Sequence, residues 1–125
     1  MTIAYTCILI MVFIPLFCIA FAKFSSKRYD NKKPREFLDN LDGRPKRAHY
    51  AEQNSYEVFA PFAAAVIIAH LLQAPQQKID VLAMSFVGVR ILYIIFYIYD
   101  LNIWRTVSWF MGLFVTLGLF FIAMK

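Results

Sequence analysis

Two clusters in this sequence carry the residues able to do chemistry. The first is Asn54 and Glu57, one helical turn apart, where the chain has become too apolar to hold a carboxylate without a reason. The second is Arg90, Tyr93 and Tyr97, whose i, i+3, i+7 spacing sets them on one helix face. Arg44 and Arg47 precede the first cluster, and Arg105 follows the second. At about 100° per residue, Arg47, Asn54 and Pro61 fall on one line of a helix, with Tyr50 and Glu57 to the same side. Several cations around one carboxylate leave an excess of positive charge, which suits an anionic ligand.

Depth along the helices predicts a partner for Glu57. It lies roughly 10 Å into its helix, and Arg90 roughly 15 Å from the matching end of the next one, at about 1.5 Å per residue. An unpaired charge at such depth is costly, so a Glu57–Arg90 ion pair is expected. A plainer reading competes with the ligand site. Such a pair can simply lock two helices together, and tyrosines at a membrane boundary are ordinary belt residues.

The elements that position these residues are membrane helices. The chain has 125 residues, 61% of them hydrophobic and 17% charged, with the apolar residues gathered in long runs. The pattern predicts an all-α, four-helix transmembrane bundle forming a single domain over residues 1–125. Spans are expected at about 3–22, 50–72, 81–99 and 106–124, with a cytoplasmic loop at about 23–49. Ile3 to Ala22 is the first span; no basic residue precedes it and the basic residues follow it, which argues for a retained helix over a cleaved signal peptide. Pro15 is expected to kink it.

Between Lys23 and Arg47 lie nine Lys and Arg against four Asp and Glu, and the whole chain carries a net charge of +5. A basic segment beside a span marks the cytoplasmic side and suits anionic lipid. Lys27, Arg28, Lys32 and Lys33 read as a solvated or lipid-facing run. Pro34 to Gly43 predicts a short helix with Phe37, Leu38 and Leu41 as its apolar stripe. The polar end of the second helix begins near Arg47, and Pro61 removes its hydrogen bond to the carbonyl of Glu57. Gln73 to Asp80 reads as a tight polar turn, and Asp100 to Arg105 as a short loop.

The remaining singular residues have blander readings. Cys7 and Cys18 share a helix face and read as small packing residues, with no metal-ligating set around them. His49 reads as a surface residue and His70 as an interface residue. Trp104 and Trp109 suit the membrane boundary, and Gly112 and Gly118 allow close helix approach. No nucleic-acid module or basic–aromatic platform is present.

With these residues in view, the sequence resembles the family of membrane-associated proteins in eicosanoid and glutathione metabolism. That family includes microsomal glutathione transferases and leukotriene C4 synthase. The likeness rests on Arg47-Ala48-His49, Asn54-Ser55-Tyr56-Glu57, Pro61-Phe62, and Phe86 to Arg90 with Tyr93 and Tyr97. It covers roughly Arg44 to the C-terminus, and Lys33-Pro34-Arg35 with Gly43-Arg44 looks most like the bacterial branch.

The resemblance implies a homotrimer of four-helix subunits with glutathione bound between them on the cytoplasmic side, in a bacterial inner membrane. It implies that Arg44, Arg47, Asn54, Glu57, Arg90, Tyr93 and Tyr97 bind glutathione and that Arg105 stabilises its thiolate. An apolar electrophile would arrive from the lipid, and the enzyme would be a transferase or peroxidase. Eukaryotic members place an arginine four residues before the asparagine, where this chain has Tyr50. Two other readings stand beside this one. The first is a non-catalytic protein of the same fold that binds lipid or scaffolds partners. The second is a small multidrug transporter, against which the first span carries no carboxylate.

Overall fold

The apolar runs fold as helices whose ends are set by identifiable residues. A computed structural model describes residues 1–26 and 29–124. Lys27 and Arg28, half of the expected solvated run, lie outside the described residues, as does Lys125. Helix α1 is Ile3–Phe24, α2 is Pro34–Asp39, α3 is Gly43–Leu71, α4 is Gln76–Ile98 and α5 is Asn102–Ala123. Helices α1, α3, α4 and α5 are long and apolar enough to cross a membrane.

Thr2 starts α1, its hydroxyl accepting the backbone N–H of Tyr5 at 3.1 Å. The helix runs unbroken through Pro15. Pro34 opens the first turn of α2, and Leu38 is buried in a small cluster with Ala22 and Ala48. The Lys46 ammonium donates to the carbonyls of Leu38 at 3.1 Å and Asp39 at 2.8 Å, satisfying acceptors at the end of α2.

Three helices begin earlier than the sequence suggests. Gly43, expected to end the short helix, instead opens α3 with φ +59°, a left-handed conformation that glycine adopts without penalty. Pro45 then sits in the first turn, where its missing N–H costs nothing. Arg44 and Arg47 are therefore helical residues, not loop residues. The polar turn after α3 closes before Gln76, with Gln73 at φ 57°, so Asp80 belongs to α4. The turn at Asp100, with φ 59°, puts Arg105 inside α5.

Helices α3 and α4 form the central pair, and each packs against both α1 and α5. Phe62 and Phe86 stack between them at 4.0 Å, nearly parallel. Ala65, Ala69 and Ala83 are fully buried, so backbones approach closely, as apolar surroundings require when lipid offers no hydrophobic drive. Cys7 and Cys18 are buried packing residues. Phe17, Phe114 and Phe121 are exposed on the outside, as lipid-facing side chains should be. Gly112 and Gly118 both lie where α5 meets α4, next to Phe86 and Leu82 respectively.

Candidate functional site

The α4 face predicted from spacing is built as a ladder of cations and rings. Arg90 is 1% exposed, and its guanidinium lies 4.0 Å from the Tyr93 ring centroid. Tyr93 meets Tyr97 edge-on at 5.6 Å. The Arg105 guanidinium sits 4.5 Å over the Tyr97 ring, and Arg44 sits 5.1 Å over Tyr99. Tyr50 approaches Tyr97 at 6.4 Å from α3. These contacts bring the basic start of α3, the tyrosine end of α4 and the start of α5 to one end of the bundle.

A cavity of about 260 Å³ opens at this end, lined by Asn54, Tyr93, Tyr97, Arg105, Thr106 and Trp109. Of the sequence-predicted residues, it gathers Asn54, Tyr93, Tyr97 and Arg105. Its lining holds one full positive charge and no carboxylate. Two buried polar atoms nearby have no hydrogen-bond partner, Asn54 Oδ1 and Arg90 Nε. Buried polar groups are nearly always paired, so these two atoms are exceptions.

The expected Glu57–Arg90 pair is absent among the described residues. The Arg90 Nη2 instead donates to the Ser55 hydroxyl at 3.3 Å, and Ser55 donates in turn to the carbonyl of Ala51 at 2.8 Å. The reason is rotational. Residues i and i+2 of an α-helix are about 200° apart, so when Ser55 faces α4, Glu57 faces away. Glu57 is exposed on the protomer, and its carboxylate accepts from Asn54 Nδ2 at 3.1 Å. Depth alone had matched the two charges; the helix face separates them.

Arg47 also has a different partner. Its Nε donates to the carbonyl of Ile98 at 3.0 Å, satisfying an acceptor at the C-terminus of α4. Neither Arg44 nor Arg47 lines the cavity. Arg90 lines a second, narrower cleft of about 60 Å³ on the side away from the basic end, together with Pro61, Trp109 and Gly112.

Some residues here were missed. His49 is not a surface residue; it is 8% exposed and its Nδ1 lies 2.9 Å from Glu52 Oε2, with Glu52 also 8% exposed. The i, i+3 spacing of His49 and Glu52 was the available signal. Half-buried His70 likewise has a partner, Gln76 Oε1 at 3.0 Å. Trp109, expected only at the membrane boundary, lines both cavities. Thr106 beside Arg105 lines the cavity, and Ser55 inside the motif Asn54 to Glu57 is the partner of Arg90, with no spacing signal in the sequence for either.

A family model described as MAPEG family matches residues 3–125, nearly the whole chain. Comparison with curated proteins and with solved structures gives no match. The chain belongs to the MAPEG family.

Proposed function

From this family membership we propose that the protein is a glutathione-dependent membrane transferase or peroxidase whose site is the cavity beside Arg105. The observation that carries the reading is the convergence of Arg105, Tyr97, Tyr93 and Asn54 on one cavity with positive charge and no carboxylate. Glutathione brings two carboxylates, an ammonium and a thiol. Arginines fork to carboxylates, and an amide such as Asn54 both donates and accepts. Glu57 takes the ammonium.

Arg105 supplies the activation. A guanidinium beside a thiol favours the thiolate, which is the nucleophile. Its contact with the Tyr97 ring fixes the guanidinium in place before glutathione arrives. The thiolate then forms a bond to an electrophilic carbon, and the displaced electron pair leaves with a leaving group or is protonated by water. The protein contributes no covalent nucleophile of its own.

The site is completed by neighbouring copies in a homotrimer. Tyr50, Gln53 and Glu57 all point out of the protomer from a helix apolar enough to span a membrane. A carboxylate facing lipid is costly, so a second subunit covers this face. Arg44 and Arg47 then act from the rim, Arg47 through the nitrogens that the Ile98 carbonyl leaves free. The basic segment supports a cytoplasmic position for this end, and the likeness to the bacterial branch supports a bacterial inner membrane.

Titrating the purified protein with glutathione while following thiolate absorbance tests binding and activation together. Arg105→Ala should lower turnover about 10²–10³-fold, the usual effect of removing one positioned charge stabiliser, and leave glutathione binding largely intact. Unchanged binding and turnover would show that Arg105 has no such role. A wild-type protein with neither thiolate signal nor glutathione-dependent thermal stabilisation belongs with the non-catalytic reading.

A further inference from the structure

A third hollow, of about 350 Å³, lies between α1 and α4 and shares no residue with either cavity described above. On α1 it runs from Ile10 to Phe21, and on α4 from Ile91 to Ile98. Its lining is hydrocarbon throughout, apart from the Cys18 thiol. The α4 wall is made of isoleucines at i, i+3, i+4 and i+7, which share one helix face. Isoleucine has one strongly preferred side-chain rotamer in a helix, so this wall keeps its shape. Phe17, Ile91 and Ile95 are exposed, which leaves the groove open to the outside of the protomer. From Ile10 to Phe21 it rises roughly 16 Å at about 1.5 Å per residue. The hydrocarbon core of a bilayer is about 30 Å thick, so the groove has the depth of one leaflet.

The groove finishes at the basic end of the bundle, and two guanidiniums stand there. Arg47 Nε donates to the carbonyl of Ile98, the last groove residue of α4, at 3.0 Å. Arg44 lies 5.1 Å over the ring of Tyr99, the next residue along. Neither arginine lines the cavity beside Arg105, and among the described residues neither forms an ion pair with a carboxylate. The bond to Ile98 also answers one of the carbonyls that would repel an anion at the C-terminus of α4. It uses the Nε hydrogen alone, so the terminal nitrogens of Arg47 remain as donors. The hydroxyl of exposed Tyr99 is a further donor. A hydrocarbon channel one leaflet deep that ends at paired cations has the two-part chemistry of a phospholipid.

We infer that the α1–α4 groove binds one acyl chain of an anionic phospholipid whose phosphate is held by Arg44 and Arg47. The inference does not rest on the glutathione reading, since no groove residue belongs to that cavity. It puts a lipid phosphate at the rim where these two arginines were placed above. Every phospholipid carries a phosphate; the anionic headgroup follows from charge. Two cations without a paired carboxylate leave a surplus that the extra positive group of a zwitterionic headgroup would oppose. The proposed trimer covers the face of α3 that carries Glu57, and no α3 residue lines the groove. Lipid is therefore the occupant that the membrane itself supplies.

The test uses the purified full chain in a neutral detergent. It compares phosphatidylglycerol and phosphatidylcholine of identical acyl chains with soluble glycerol 3-phosphate. Native mass spectrometry counts retained lipid, and the thermal midpoint reports stabilisation. One phosphatidylglycerol per protomer should be retained and should raise the midpoint; phosphatidylcholine should bind several-fold more weakly, and glycerol 3-phosphate should do neither. Arg44→Gln and Arg47→Gln should each weaken phosphatidylglycerol retention about fivefold, the factor equivalent to about 1 kcal/mol for a basic residue near an anionic surface. Ile95→Trp, which fills the groove from an exposed position, should weaken both lipids alike and leave the glutathione thiolate titration as in wild type. Equal retention of the two lipids, or stabilisation by glycerol 3-phosphate equal to that by phosphatidylglycerol, overturns the headgroup site. Retention unchanged in both Ile95→Trp and Ile91→Trp puts the acyl chain elsewhere and overturns the groove. A changed oligomeric mass in these variants, with the lipid count unaltered, assigns the groove to a second copy of the chain and overturns it too. The glutathione reading stands or falls separately, on the thiolate titration of the wild type.

Discussion

The two ends of the bundle handle polar groups in opposite ways. At the end away from the basic segment, Asp80 Oδ1 accepts the Ala4 backbone N–H at 2.9 Å and Gln76 Nε2 at 2.8 Å. Because the Gln76 amide nitrogen donates to Asp80, its oxygen accepts from His70 Nδ1, 3.0 Å away. The His70 ring also packs on Tyr5 at 5.0 Å. This network ties the start of α1, the end of α3 and the start of α4 within one protomer. At the other end, Arg90 Nε and Asn54 Oδ1 are buried and unmatched, and Glu57 points outward. A closed network holds helices. An open one, at the end where cations outnumber carboxylates, leaves polar groups for the proposed site.

That contrast is broken most directly at Arg90. Arg90→Met conserves much of the volume and removes the buried charge. Replacing a poorly compensated buried ion with an apolar side chain is often neutral or stabilising. The thermal midpoint without glutathione should therefore hold or rise. Glutathione affinity should fall about 10–100-fold, as expected for losing a charged hydrogen bond worth about 1.5–3 kcal/mol. Isothermal titration and thermal unfolding in the same detergent check both halves. A large loss of stability without glutathione would show instead that Arg90 is a structural bolt, and that the two ends do not differ as described.

Asp80→Ala should do the reverse. It strands the Ala4 N–H and the Gln76 amide at once, at a cost of about 1–3 kcal/mol. Its thermal midpoint should drop while glutathione affinity stays at the wild-type value. A fall in affinity matching the fall in stability would mean that the two ends communicate through α4.

Much of this was legible in the sequence, and the failures share a cause. The helices were legible because uncharged runs of membrane length have few other uses. Helix starts were less so: Gly43 serves equally to end α2 or to open α3, and only Pro45 just after it tips the choice. Tyr93, Tyr97, Asn54 and Arg105 converge because each sits near the same end of its helix, a property countable along the chain. The Glu57–Arg90 pairing failed because it needs rotation as well as depth. Ser55 and Glu57 differ by two residues in the sequence, but they stand on nearly opposite faces, and burial by α4 chose Ser55. His49 failed in the same way, since its face of α3 is covered and the sequence does not say by what.

The finest test of the closed end is Asp80→Asn. Both donors in the network meet the same oxygen, Oδ1, so an asparagine that keeps its carbonyl oxygen there still accepts from Ala4 and from Gln76. Only the charge is lost, together with the extra strength that charge lends a hydrogen bond. Interhelical hydrogen bonds in membranes average about 0.6 kcal/mol, so the cost should stay under about 1 kcal/mol and well below that of Asp80→Ala. An asparagine as damaging as alanine would mean that the carboxylate acts through its charge on the N-terminus of α1, where a negative group is favoured by the helix dipole. The ordering Ala well below Asn, and Asn close to wild type, in detergent unfolding midpoints therefore separates a network of shared acceptors from an electrostatic cap.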